Sequence, residues 1–148
     1  MVFKTKSAKE TKKVAADLAR KIIKTKPQRQ ACVITLEGEL GAGKTTFIQG
    51  FAKALKIKQK ITSPTFVLIK SYKLSATTYK LLYHIDAFRL KDWHDLSSLG
   101  IKEIFANPQN IILIEWAERV KSILPKKRIN IHIDHISKNE RKISITKP

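Results

Sequence analysis

Apolar residues recur along the chain with two periods, and the periods mark its elements. Val14, Ala15, Leu18, Ala19 and Ile22 share one helical face. Ser7-Ala8-Lys9-Glu10 ahead of them matches a capping box, so a helix is expected from about Ala8 to Ile23, closed by Pro27. Ala31 to Leu36 is nearly all apolar and reads as a buried strand. Helical spacing returns with Phe47, Ile48, Phe51, Ala52 and Leu55, giving a second helix from Lys44 to Leu55. Phe66 to Tyr72 and Tyr79 to Ile85 read as two strands of an antiparallel hairpin about the polar turn Ser75-Ala76-Thr77-Thr78. Asp92 to Phe105 is mostly helical, with Leu96, Leu99 and Ile104 apolar, Gly100 placed to split it and Asn107-Pro108 closing it. Asn110 to Ile114 is a continuous apolar run that ends in Glu115-Trp116. A short helix, Glu118 to Leu124, is stopped by Pro125. Arg128 to Asp134 and Lys142 to Thr146 alternate polar with apolar about the turn Ser137 to Glu140, which predicts a C-terminal hairpin. No repeat, low-complexity linker or boundary interrupts this order, so residues 1–148 are expected to form one domain.

The loop between the first buried strand and the second helix carries the chemistry. Residues 38–45 are Gly-Glu-Leu-Gly-Ala-Gly-Lys-Thr, the phosphate-binding pattern G-x-x-x-x-G-K-[ST]. Its glycines let the backbone curl with N–H groups turned inward, a nest for an anion. The new helix adds the partial positive charge of its N-terminus. In such a loop Lys44 can reach the β- and γ-phosphates, and the Thr45 hydroxyl can ligate Mg²⁺. The run ending at Glu115 fits the second signature of this class, a buried strand beside the P-loop strand that carries a carboxylate toward Mg²⁺. The plain alternative is a strand ending in a solvated glutamate. Asp86 leaves the end of another apolar strand, a usual place for chemistry. Four histidines show no spacing that suggests a metal site. His132 and His135, near the C-terminal hairpin, read as structural or exposed, and His84 is set apart only by standing two residues before Asp86.

Composition narrows the setting. One cysteine, Cys32, reads as a small core residue; it allows no disulfide framework and suggests a reducing compartment. No apolar run approaches a membrane span, and the first residues lack the apolar stretch of a signal peptide, so a cytoplasmic location is expected. The net charge of +18 is extreme for this length. It fits contact with RNA, attraction to polyphosphate in general, or lysines spread over solvated faces. The lysines are scattered, no arginine-rich stripe stands out and no aromatics interleave with them, so charge alone does not establish RNA binding.

Absent motifs separate the classes of P-loop protein. There is no Asn-Lys-x-Asp guanine reader and no Asp-x-x-Gly switch, which favours ATP over GTP. The chain after Glu115 leaves little room for the arginine-bearing lid of a small-molecule or nucleoside kinase. Asp86 and Arg89 could still serve such a kinase as base and phosphate ligand, which keeps it as an alternative. A motor or transporter ATPase would need more chain. A nucleic-acid-binding module with a regulatory nucleotide site is a third reading, resting on the charge.

The residues carry a resemblance. Gly38-Glu39-Leu40-Gly41-Ala42-Gly43-Lys44-Thr45-Thr46, Ser63-Pro64-Thr65-Phe66, His84-Ile85-Asp86-Ala87-Phe88-Arg89-Leu90 and Ile114-Glu115-Trp116 resemble, in order, the motifs of the TsaE family. Those are small bacterial P-loop ATPases required for threonylcarbamoyl modification of tRNA adenosine 37. The resemblance runs from about Ser7 to the C-terminal hairpin. It implies an α/β fold, a three-layer P-loop sandwich with a mixed parallel and antiparallel sheet. It implies ATP and Mg²⁺ as cofactors, slow hydrolysis on its own, and two partners, the TsaD catalytic subunit and the related TsaB subunit. Threonylcarbamoyl transfer itself belongs to TsaD, which the ATPase would reset or license, so contact with tRNA is expected to be indirect or transient.

Carried over by motif, Glu39, Leu40, Gly41, Ala42, Gly43, Lys44, Thr45 and Thr46 would hold the phosphates, while Thr45 and Glu115 would set Mg²⁺. Asp86 would orient or activate the attacking water. Thr65 would be a switch residue sensing the γ-phosphate, and Trp116 would pack beside the site. Lys44 would supply part of the charge for the transition state, with Arg89 or a partner residue supplying the rest. Two departures are visible. Ala87-Phe88 stand where many members have a bulkier residue followed by tyrosine, so a hydroxyl is lost while packing should survive. The charge is also unusually basic for the family, which leaves room for direct tRNA contact or an acidic partner surface.

Overall fold

The fold, a computed structural model that describes residues 1–62, 68–75, 77–90 and 94–148, is organised by a seven-stranded sheet. In chain order the elements are β1 (Val2–Thr5), α1 (Ala8–Lys24), β2 (Cys32–Glu37), α2 (Lys44–Ala54), β3 (Ile69–Lys73) and β4 (Leu81–Asp86). There follow α3 (His94–Ser97), α4 (Ile101–Ala106), β5 (Asn110–Glu115), a 3₁₀ helix (Ala117–Ile123), β6 (Ile129–His135) and β7 (Arg141–Thr146). The strands lie in the order β1-β7-β6-β2-β5-β4-β3. β2 runs parallel to β5 and β6, and β4 runs parallel to β5, whereas β3, β7 and β1 join antiparallel. This is the mixed-sheet α/β architecture the motifs implied, with both hairpins in place.

Two cores, one on each face of the sheet, make the three layers. Ile34, Leu36, Ile111 and Leu113 of β2 and β5 pack under α1 and α2 with Leu18, Phe47 and Phe51. Val33, Ile112 and Ile114 point the other way, onto Leu96, Ile101, Phe105 and Val120. A strand covered on both faces favours apolar side chains throughout, which is why β2 and β5 read as runs rather than alternations; Thr35 of β2 is buried with its hydroxyl bonded to Asn130 Oδ1 (2.8 Å). β6 and β7 lie farther out and keep the alternation of a half-buried strand.

Local signals decide the element ends. The Ser7 hydroxyl accepts the Glu10 N–H (3.1 Å), and the Glu10 carboxylate accepts the Lys6 N–H (3.3 Å). The capping pattern thus closes on Lys6, one residue before the position it usually serves. The segment expected to be helical, of which Asp92 and Trp93 lie outside the described residues, divides at Gly100, which sits in the left-handed region at φ 76° and starts α4. Leu99, expected on the apolar face, is 47% exposed. The stretch after Trp116 tightens into 3₁₀ geometry with a kink at Val120 rather than an α-helix. β1 has no counterpart among the expected elements. Its four residues are too few to show a period, and its pairing with β7, from Val2↔Ser144 to Thr5↔Arg141, is wholly tertiary.

Two positions on the α1–α2 side of the sheet, Gly50 in α2 and Cys32 in β2, bear on stability and reactivity. A Cβ added at Gly50 of α2 would stand 2.5 Å from the Lys12 Cα and 2.6 Å from its carbonyl oxygen. These are backbone atoms of α1 and cannot rotate aside. Gly50→Ala is therefore expected to push the helices apart and cost about 1–3 kcal/mol, read as a lower urea midpoint. An unchanged midpoint would mean that α1 shifts freely. Cys32 sits largely inside, where burial raises its thiol from 9.0 to about 11, so it stays protonated and unreactive at neutral pH.

Candidate functional site

β2 delivers the chain to the P-loop at the C-terminal end of the parallel strands, and α2 leaves from it. Gly38 begins the loop at φ 151°, where a Cβ would stand 2.5 Å from the Ile133 carbonyl oxygen. Only glycine lets the loop lie this close to β6. The Ala42 N–H turns back to the Glu39 carbonyl (3.0 Å), and the Phe47 N–H bonds the Gly43 carbonyl (2.9 Å), the first turn of α2. Lys44 is 6% exposed, and its ammonium donates to the carbonyls of Gly38 and Glu39. The same ammonium stands 4.1 Å from the centre of the Trp116 ring. Burial lowers the Lys44 pKa, opposed by the charges of Glu115, Glu118 and Asp86.

The facing carboxylates arrive on β4 and β5. Asp86 and Glu115 are register partners at the ends of these parallel strands. Strand alternation puts His84, Asp86 and Glu115 on the face that carries Leu82 and Leu113, the side of α2 and Lys44. Glu115 is 3% exposed, and its Oε2 lies 2.7 Å from Nε2 of the fully buried His84. Among the described residues, Nδ1 of His84 is buried with no hydrogen-bond partner. The short contact suits a ring that donates from Nε2 to the Glu115 carboxylate. Asp86 accepts the Phe88 N–H through Oδ1 (3.0 Å). Burial raises the Asp86 pKa, and the nearby Glu115 charge adds to this, while the Phe88 N–H, His84 and Lys44 oppose it.

Trp116 holds an unusual conformation. Its φ of 57° places a bulky residue in the left-handed region, and its N–H bonds the Leu36 carbonyl (3.2 Å). Such a geometry costs about 1–2 kcal/mol and persists only where the surroundings impose it. Here it turns the indole over Lys44 and against Phe88, with ring centres 5.0 Å apart. The packing expected of Trp116 and of the phenylalanine at position 88 is present.

A cleft of about 450 Å³ gathers these groups: Leu40 through Thr46, then Asp86, Arg89, Glu115 and Trp116. Glu39 is not among its walls; it faces a neighbouring cleft with Glu37, Glu118 and Asp134. Thr65 and the rest of the Ser63-Pro64-Thr65-Phe66 motif lie outside the described residues. A second recess, about 120 Å³, opens beside Gly43 and Thr46, between Ser7 at the start of α1 and Lys138-Asn139 in the C-terminal turn. Among the described residues no three His, Cys, Asp or Glu side chains are grouped to hold a metal. Mg²⁺ needs no such cage, since one or two protein oxygens with phosphate oxygens and water suffice. The Thr45 hydroxyl and the Glu115 carboxylate, one oxygen of which is held by His84, line one cleft and fit that donor set.

Two contacts were not legible beforehand. His84 bonds the carboxylate of Glu115 rather than Asp86, its neighbour in sequence. Arg141 reaches from β7 into the cleft and bonds the Ala42 carbonyl (2.9 Å). On topology the turn Ser137 to Arg141 is a candidate for holding the adenine, as is the start of α1 (Ser7 to Glu10), but nothing in the chain points to this contact with the P-loop. His132 is exposed, as expected, 3.0 Å from Asp134.

Comparison with known proteins places these features in a family. The profile of the family described as "Threonylcarbamoyl adenosine biosynthesis protein TsaE" matches residues 5–143. A Bacillus subtilis protein named tRNA threonylcarbamoyladenosine biosynthesis protein TsaE is 43% identical over 114 residues, covering 77% of this chain and 68% of that protein. The Haemophilus influenzae protein of the same name is 38% identical over 106 residues, covering 72% of this chain and 65% of that protein. The crystal structure of Bacillus subtilis YdiB superposes with a TM-score of 0.78 at 36% identity, over 99% of this chain and 84% of that one. Among the described residues no helix is long and apolar enough to cross a membrane.

Proposed function

The chain belongs to the TsaE family of threonylcarbamoyl adenosine biosynthesis proteins, and from that premise we propose that it binds ATP with Mg²⁺ in the P-loop cleft and hydrolyses it slowly as a switch on the TsaD and TsaB subunits. The observation that carries the reading is convergence. The P-loop lysine, two carboxylates from adjacent parallel strands and a strained tryptophan meet in one cleft at the C-terminal end of the sheet. That is where ligands bind in open α/β sheets.

The residues divide the work. The loop backbone from Leu40 to Thr46 and the N-terminus of α2 receive the phosphates. Lys44 exchanges its bonds to the Gly38 and Glu39 carbonyls for bonds to phosphate oxygens. Thr45 and Glu115 would hold the metal, which would supply positive charge against that of the phosphates. His84 keeps one oxygen of Glu115 engaged and so fixes the direction of the other. Asp86 orients the attacking water, its carboxylate aimed by the Phe88 N–H. The base and ribose extend toward the recess between Ser7 and Asn139.

The test mixes the protein with purified TsaD and TsaB and follows assembly and phosphate release with ATP and with ADP. Assembly that depends on the nucleotide, with release faster than from the protein alone, is expected. Tight ATP binding without assembly under either nucleotide would remove the switch and leave only the nucleotide site.

A further inference from the structure

Among the described residues, five hydrogen bonds leave the Arg141 side chain, and all five end on backbone carbonyls. Nε bonds Ala42 (2.9 Å) and Nη2 bonds Gly41 (3.4 Å), both in the P-loop. Nη1 bonds Ser137 (2.8 Å), Glu140 (2.9 Å) and Lys138 (3.4 Å), in the turn before β7. The Arg141 backbone is itself anchored on both sides, since it opposes His135 of β6 and Thr5 of β1. A residue fixed by two strand ladders therefore grips a loop 99 positions away in sequence.

The consequence follows from the planarity of the peptide. In a trans peptide the C=O and the next N–H point in opposite directions. Drawing the Ala42 carbonyl onto the guanidinium turns the Gly43 N–H the other way, off the guanidinium side. The planar fork suits this task, because it holds several acceptors at fixed angles where an ammonium would hold one point. The guanidinium stays charged, and its bonds go to carbonyls rather than to a carboxylate, so its positive field remains at the edge of the cleft.

We propose that Arg141 is a positioning residue for phosphate binding: by engaging the Ala42 carbonyl it sets the Ala42–Gly43 peptide, with the Gly43 N–H directed away from the guanidinium, and so holds the P-loop in the shape that receives a polyphosphate. This rests on the reading of the cleft as a nucleotide site. It assigns the C-terminal hairpin a part in the site, as the support that sets the loop's shape.

The test is calorimetric titration of Mg²⁺-free tripolyphosphate and of ADP into the parent protein, Arg141→Gln and Arg141→Lys, alongside the melting temperature of each. Tripolyphosphate has no base, so it reads the loop alone. Arg141→Gln is expected to weaken both ligands by about tenfold, the weight of a charge-assisted contact. Arg141→Lys keeps the charge without the fork and should recover only part of the loss. A lower melting temperature with unchanged tripolyphosphate affinity would make Arg141 a structural staple and overturn the proposal. Weakened ADP with unaltered tripolyphosphate would place Arg141 at the base and also overturn it. Full recovery by lysine would reduce the role to a point charge, against positioning. A parent protein that binds neither ligand would remove the nucleotide reading, and the inference with it.

Discussion

An Asp86→Ala protein is expected to bind ATP as the parent does and to release phosphate at roughly a hundredth of the parent rate or less. On the proposed reading, affinity should survive because the loop and Lys44 would hold the phosphates, while Asp86 comes from β4 on another wall of the cleft. The rate should fall because Asp86 would orient the attacking water or accept its proton. Its Oδ1 is engaged by the Phe88 N–H, which fixes the direction of the carboxylate. Burial among Glu115 and the apolar end of β4 raises its pKa, which makes it a better base than a solvated aspartate. Titration with a non-hydrolysable ATP analogue and single-turnover phosphate release separate the two quantities. Turnover near the parent rate would mean that Asp86 only shapes the turn at Phe88.

His84→Ala is expected to lower stability by about 3 kcal/mol and to raise the Mg²⁺ concentration needed for nucleotide binding. Glu115 is buried, and its Oε2 bond to His84 is 2.7 Å long. Removing one partner of a buried pair leaves the other desolvated without compensation, the costly way to break such a contact. The carboxylate would also be free to rotate, so on the proposed reading its second oxygen would be less well set to hold Mg²⁺. His84→Gln can offer an N–H from nearly the same place and should restore much of both properties. Denaturant titration reads the first effect, and Mg²⁺ titration of a fluorescent nucleotide reads the second without reference to turnover. A His84→Ala protein with reduced stability but an unaltered Mg²⁺ requirement would confine His84 to the core.

What the sequence determined on its own was whatever is local or contiguous. The P-loop was legible because a strand, a glycine pattern and a helix start follow one another within the stretch from Ala31 to Leu55. Glu115 and Asp86 were legible because each leaves the end of a largely apolar strand, and β5, buried at every position, announces itself by continuous apolar residues. The Ser7 cap, the split at Gly100 and both hairpins were legible for the same reason, since each depends on neighbours in the chain.

Tertiary structure decided the rest. β1 exists because β7 offers an edge, and four residues cannot declare that in advance. His84 looked like a companion of Asp86, two residues on. Alternation puts both on one face, but the diagonal across the β4–β5 register brings His84 to Glu115 instead. Gly50 reads as a helix-weakening residue until α1 is seen lying against it. Arg141 is one of 30 lysines and arginines, and only the closure of the C-terminal hairpin over the P-loop separates it from the others. Sequence records which residues can make a contact; distance, register and the direction of a side chain arise when distant segments pack, because those are properties of pairs that the chain itself does not place side by side.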